Sequence, residues 1–79
     1  MTKFIISIDQ GTTSSRAILF NIKGRPVYSS QKEFTQYFPK SGWVEHNPEE
    51  IWNTTKKTLK DVINKSKRLK GSVLAIGIT

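Results

Sequence analysis

Segment 9–16, which reads Asp-Gln-Gly-Thr-Thr-Ser-Ser-Arg, contains the residues of this chain best suited to chemistry. Asp9 follows an apolar run, and a carboxylate at the end of a buried strand is unfavourable unless it is paired or binds a metal ion. Gly11 allows backbone N–H groups to approach an anion, and the four hydroxyls that follow can each donate to a phosphate oxygen. Arg16 adds a planar guanidinium that matches phosphate geometry. Together these residues suit a phosphate site in which Asp9 holds a Mg²⁺ ion through waters.

The same segment has a second interpretation that needs no ligand. Small polar residues are common in turns between strands, so Gly-Thr-Thr-Ser-Ser is also compatible with a plain hairpin turn. The segment is not a Walker A loop, because the Gly-Lys-Ser/Thr ending is missing and a strand, not a helix, is expected to follow. The residues alone leave both interpretations open.

Apolar runs on both sides of segment 9–16 predict the elements that position it. Residues 4–8 and 16–20 predict two strands of a hairpin, because a short glycine-containing turn joins them. Residues 27–35 predict a third strand, which is polar enough for a partly exposed position. Residues 36–47 are predicted to be irregular and are rich in aromatic side chains.

A helix is predicted to begin after Asn47, which is a good N-cap, with Pro48 in the first helical position. Gly71 is predicted to end it, and the apolar residues 72–79 predict a fourth strand. Inside the helix one apolar stripe recurs at helical spacing: Ile51, Trp52, Thr55, Leu59, Val62 and Ile63. The predicted order is strand, strand, strand, helix, strand, which indicates an α/β class.

Composition excludes several classes of protein and leaves one alternative open. The chain has 79 residues, no cysteine and one histidine, so it forms at most one small domain without a disulfide framework. The net charge is +7, with a concentration of Lys and Arg in segment 56–70. A solvated helix face explains that segment, and a contact with nucleic acid or another polyanion is the alternative.

No apolar stretch predicts a signal peptide or a membrane span, and we expect a cytoplasmic protein with no nucleic acid or membrane partner.

Two segments together resemble a known family. Segment 9–17, Asp-Gln-Gly-Thr-Thr-Ser-Ser-Arg-Ala, is similar to the N-terminal phosphate motif of the FGGY carbohydrate kinases, and among them of the glycerol kinases. Phe38-Pro39 and segment 42–52, Gly-Trp-Val-Glu-His-Asn-Pro-Glu-Glu-Ile-Trp, resemble the signature that follows, and residues 77–79 match the next strand. Asn47 departs from the usual Asp, and both residues cap a helix well.

The resemblance implies a partial ribonuclease H-like fold of the actin-like ATPase kind. It also implies transfer of the γ-phosphoryl group of ATP to glycerol, which gives glycerol 3-phosphate, with ATP and Mg²⁺ as cofactors. By this likeness Asp9 lies near the metal ion, and Arg16 reaches towards the phosphates. The likeness assigns the phosphate contacts to Gly11, Thr12, Thr13 and Ser14.

The fourth predicted strand suggests an unfinished domain. It is as apolar as a central strand, and residues 1–79 provide nothing to cover its second face. We therefore expect these residues to be an incomplete N-terminal part of the first kinase domain, inactive alone, because the family's glycerol and catalytic-base residues would lie beyond Thr79. An alternative is a small module that binds a phosphate, a nucleotide or a partner without catalysis. An uncovered strand also predicts self-association.

Overall fold

The computed structural model describes residues 2–11, 13–34, 36–37 and 45–78. The predicted order of the main elements is confirmed, and the predicted irregular segment contributes two short strands in addition. The elements are β1 (Thr2–Gln10), β2 (Ser14–Asn21), β3 (Pro26–Glu33), β4 (Gln36–Tyr37), β5 (Glu45–His46), α1 (Pro48–Arg68) and β6 (Gly71–Ile78). Strands β1 and β2 are longer than predicted, so Asp9 and Ser14 also lie within strands, as Arg16 was predicted to do.

The four long strands form one mixed sheet in the order β3-β2-β1-β6. β1 pairs with β2 and β2 with β3 in antiparallel fashion, whereas β1 and β6 are parallel. A parallel neighbour requires a crossover connection, and α1 provides it. β4 and β5 form a separate two-stranded sheet. Residues 38–44, which include Trp43 of the signature, lie outside the described residues.

The core lies between one face of the sheet and α1. Alternate residues of β1 and β2 point towards the helix and are buried, as the period of two requires. Leu59, Ile63 and Val73 pack against this cluster, which consists of Phe4, Ile6, Ile8, Ala17, Leu19 and Val62. The opposite face carries Asp9 and Arg16 near the hairpin turn and is less buried.

The helix face that contacts the sheet differs from the predicted apolar stripe. Trp52, a member of that stripe, is 60% exposed and stacks under the Lys56 ammonium, so it lies outside the face that contacts the sheet. Apart from Val62, the buried helix residues carry small hydroxyl groups: Thr54, Thr55, Thr58 and Ser66. These hydroxyls donate to carbonyls within the helix, which removes the penalty for burying them. Their small size allows α1 to approach the sheet closely.

Both helix ends have a local explanation. The Asn47 side chain accepts from the Glu49 N–H at 2.9 Å, which confirms the predicted N-cap. At the other end the left-handed residue is Lys70, with φ of 56°, and not the predicted Gly71. Gly71 begins β6 instead, where a Cβ would stand 2.1 Å from the Phe4 ring. Its lack of a side chain therefore serves packing, which corrects the prediction that it ends the helix.

The lysine-rich segment forms an exposed surface on α1 and the turn after it. Lys56, Lys57 and Lys60 are exposed, as are the basic residues at positions 67, 68 and 70. This exposure agrees with the interpretation of a solvated helix face. Among the described residues, α1 is the one helix, and it is too polar to cross a membrane.

Candidate phosphate site

The hairpin of β1 and β2 has two faces with different chemistry. Since side chains alternate along a strand, Asp9, Ser14 and Arg16 share the face directed away from α1. Gln10 and Ser15 occupy the face directed towards the helix, where they contact Thr54 and Thr55. Three of the predicted site residues therefore lie together on the open face at one end of the sheet.

Asp9 and Arg16 are direct cross-strand partners. A guanidinium nitrogen of Arg16 donates to a carboxylate oxygen of Asp9 at 3.2 Å, and both side chains are nearly half exposed. An ion pair with this exposure contributes about 1 kcal/mol or less. The pair therefore holds the two charges at the base of the turn and can separate at little cost when each finds a stronger partner.

The turn itself comprises the exposed residues Gly11 and Thr13, with Thr12 between them outside the described residues. The Gly11 N–H donates to the Ser14 carbonyl at 2.9 Å, and the Thr13 carbonyl accepts from the Phe34 N–H at 3.0 Å. The first of these bonds takes up the Gly11 amide that the sequence suggested for an anion. Gly11 also lies outside the left-handed region, so the turn does not require a glycine for its backbone conformation. Because Gly11 is exposed and has no side chain, a ligand can approach the backbone closely at this position.

Ser14 lies at the base of the turn on the open face. It is 9% exposed, and its hydroxyl accepts a hydrogen bond from the Gln31 side chain at 2.8 Å. A hydroxyl that accepts one bond keeps its own proton for donation. Ser14 can therefore donate to a group above the hairpin, and Gln31, which the sequence did not single out, orients it.

Ser15, one of the four predicted hydroxyl donors, points towards α1 and not towards the open face. It is fully buried, and its oxygen lies 3.0 Å from the Thr54 hydroxyl and 3.2 Å from that of Thr55. Its contribution is to attach the hairpin to α1. Sequence analysis missed Thr54 in this role, because residues about forty positions apart give no local signal of contact.

The open face has the composition that a magnesium–phosphate group requires. Among residues 2–11, 13–34 and 45–78, no group of three or more His, Cys, Asp or Glu side chains is arranged as a metal cage. Magnesium does not require one, because it keeps several waters and binds through one or two carboxylates together with phosphate oxygens. Asp9, half exposed at the end of β1, fits that mode.

Comparisons with known proteins find relatives along the length of the chain. Residues 4–79 match the N-terminal domain of the FGGY family of carbohydrate kinases. A glycerol kinase of Geobacillus kaustophilus is 56% identical over 79 residues, which are the whole of this chain and 16% of that relative. The chain thus spans about a sixth of the length of the curated relative it matches.

Solved structures give the same fold. A gluconate kinase from Lactobacillus acidophilus superimposes on the whole chain and on 15% of its own length, with a TM-score of 0.88 and 28% identity. A Plasmodium falciparum glycerol kinase, solved with ADP, covers 99% of this chain and 16% of its own, with a TM-score of 0.87 and 32% identity. The α/β fold is thus a partial domain of the actin-like ATPase type, as predicted. Since the family match extends from residue 4 to residue 79, this chain belongs to the FGGY family of carbohydrate kinases.

Proposed function

We propose that this chain is the N-terminal part of a glycerol kinase and that its β1–β2 hairpin binds the phosphates of ATP. The intact enzyme would transfer the γ-phosphoryl group to glycerol and release glycerol 3-phosphate. The observation that carries the proposal is the identity of 56% with a glycerol kinase over every residue of the chain. The polar open face of the hairpin supports the assignment of the phosphate site, because it has a carboxylate, a hydroxyl and a guanidinium side by side.

Each predicted site residue has a role in this proposal. Asp9 would hold a Mg²⁺ ion, which would neutralise part of the phosphate charge. Arg16 leaves Asp9 and forms a charge-assisted bond to a phosphate oxygen. Ser14 donates its hydroxyl proton, while Gly11, Thr12 and Thr13 line the phosphates along the turn. Phosphoryl transfer depends mainly on such positioning and charge stabilisation.

Residues 1–79 constitute an incomplete first kinase domain in this proposal and have no catalytic turnover alone. The support is the extent of the match, which covers 16% of the length of the glycerol kinase relative. Residues that correspond to the remainder of that relative would bind glycerol and make the other contacts to ATP.

Titration of the isotope-labelled chain with Mg-ATP tests the phosphate site. We expect the amide signals of Gly11, Thr13 and Ser14 to shift in a saturable manner, while those of the lysine face at Lys56 and Lys60 stay constant. The wild type is expected to bind Mg-ATP more tightly than ATP in excess EDTA. Asp9→Asn is expected to remove most of this difference in affinity, because it removes the carboxylate charge. Unchanged turn signals in a folded chain would contradict the proposed site.

A second candidate function, binding of a second copy of the chain, is favoured by the outer strand β6. The two edges of the sheet differ, because β3 carries Lys32, Glu33 and Pro26, which protect an edge strand from pairing. β6 has no charged residue and exposes three large apolar side chains, Leu74, Ile76 and Ile78. An uncharged apolar edge is a template for another strand.

Association through β6 is expected to make the molecular mass depend on concentration. Ile78→Lys, at a side chain that is 77% exposed, is expected to shift the chain towards monomer without unfolding it. Ile22→Lys is the matched control, because Ile22 is 65% exposed and lies beyond β2 at the other end of the sheet. Sedimentation equilibrium measures the molecular mass of the wild type and of both variants. Equal masses for the two variants, or a monomeric wild type, would exclude pairing through β6.

A further inference from the structure

Four side chains form a hydrogen-bonded network between the hairpin and α1. Gln10, on β1, donates to the Thr55 hydroxyl, and Ser15, on β2, lies within hydrogen-bond distance of both Thr54 and Thr55. Gln10 and Ser15 are cross-strand partners at the last pair before the turn. The network therefore holds both strands at the point where the turn begins.

The direction of each bond follows from the number of protons available. The Thr54 and Thr55 hydroxyls both donate to the Ile51 carbonyl, at 2.9 and 2.8 Å. Each hydroxyl has one proton, so both threonine oxygens can only accept from the hairpin. The Ser15 proton must then be donated to one of them. Thr55 accepts from Gln10 on β1 and lies within hydrogen-bond distance of Ser15 on β2, so it contacts a side chain of each strand.

We propose that Thr55 is a positioning residue that fixes the orientation of the phosphate-binding turn by holding β1 and β2 together on α1. This inference rests on the proposed function of the turn. Its geometric part stands independently, because the Gln10–Thr55 and Ser15–Thr55 contacts lie on the helix face, opposite Asp9 and Arg16. Thr55 touches no ligand in this arrangement and acts through the hairpin.

Thr55→Val tests the proposal, because valine has the shape of threonine and lacks the acceptor. Gln10 and Ser15 then lose a shared partner, and we expect hydrogen exchange at the Gly11 amide to accelerate about tenfold or more relative to the core amides of β1. Thr58→Val is the matched control, since Thr58 is fully buried one turn along α1 and its hydroxyl donates to the Thr55 carbonyl of its own helix. Thr55→Ser keeps the hydroxyl and is expected to restore slow exchange at Gly11.

The outcomes separate a positioning role from a general loss of stability. Selective acceleration at Gly11 in Thr55→Val, with rescue by Thr55→Ser and none in Thr58→Val, supports the proposal. Equal effects of the two valine variants, scaled to their melting temperatures, overturn it. Mg-ATP affinity is measured on the same samples and is expected to fall by a similar factor in Thr55→Val. If the wild type binds no Mg-ATP, the proposed function fails, while the exchange data still decide whether Thr55 fixes the turn.

Discussion

Gly11→Ala is expected to weaken Mg-ATP binding by at least about tenfold and to leave the chain folded. The two effects separate because of where Gly11 lies. A Cβ at this position would meet the Ser14 carbonyl oxygen at 3.5 Å, which is an ordinary contact. The residue is exposed at the turn and has no left-handed φ, so alanine fits the backbone. The added methyl group instead occupies surface that the phosphates would approach.

The stability of Gly11→Ala is expected to stay constant or rise by about 0.4–1 kcal/mol, because alanine restricts the unfolded chain where the native conformation accepts it. Opposite changes in stability and affinity distinguish a ligand effect from a folding defect. Chemical denaturation gives the first quantity, and titration followed by NMR gives the second. Wild-type affinity in Gly11→Ala would show that the phosphates do not approach this part of the turn.

A conservative substitution in the Asp9–Arg16 ion pair tests the contribution of the guanidinium to phosphate binding. Arg16→Lys keeps the positive charge beside Asp9 but loses the planar fork of the guanidinium. Because the pair is nearly half exposed, its replacement is expected to change stability little. A partial loss of affinity in Arg16→Lys beside a larger loss in Gly11→Ala would agree with charge attraction by Arg16 and close approach at Gly11.

The hairpin and its open face could be predicted from sequence because their signals are local. A short polar turn between two apolar runs gives the hairpin, and the period of two then places Asp9 and Arg16 on one face. The N-cap at Asn47 was equally local, since the cap and its bond to Glu49 span only two residues.

The attachment of the hairpin to α1 could not be predicted in the same way. Hydropathy favours Trp52 over Thr58 for a buried position, yet Trp52 is exposed and Thr58 is buried completely. A helix that approaches a sheet closely needs small side chains, and hydroxyls that bond their own helix can be buried without penalty. The threonines at 54, 55 and 58 do follow helical spacing, and this was the available signal.

The junction between α1 and β6 gives the second large expected effect. Gly71→Ala is expected to lower stability by about 1–3 kcal/mol, the usual range for overpacking. Its Cβ would lie 2.1 Å from the Phe4 ring and 2.8 Å from the Thr2 backbone oxygen. Phe4 is a buried core residue, and the backbone oxygen belongs to the parallel partner strand, so neither can yield easily.

Lys70→Gly, one residue earlier, is expected to act in the opposite direction. Lys70 has a φ of 56°, where a side chain costs about 1–2 kcal/mol, and glycine removes that strain at some cost in chain entropy. We expect the melting temperature to rise by a few degrees in Lys70→Gly and to fall by about 4 °C or more in Gly71→Ala, since 1 kcal/mol moves a domain of this size by about 4–8 °C. Thermal melts followed by circular dichroism measure both. If glycine at position 70 lowered the melting temperature as alanine at position 71 does, the left-handed conformation of Lys70 would be wrong. Stabilisation by Gly71→Ala would instead contradict the close packing of Phe4 on the first residue of β6.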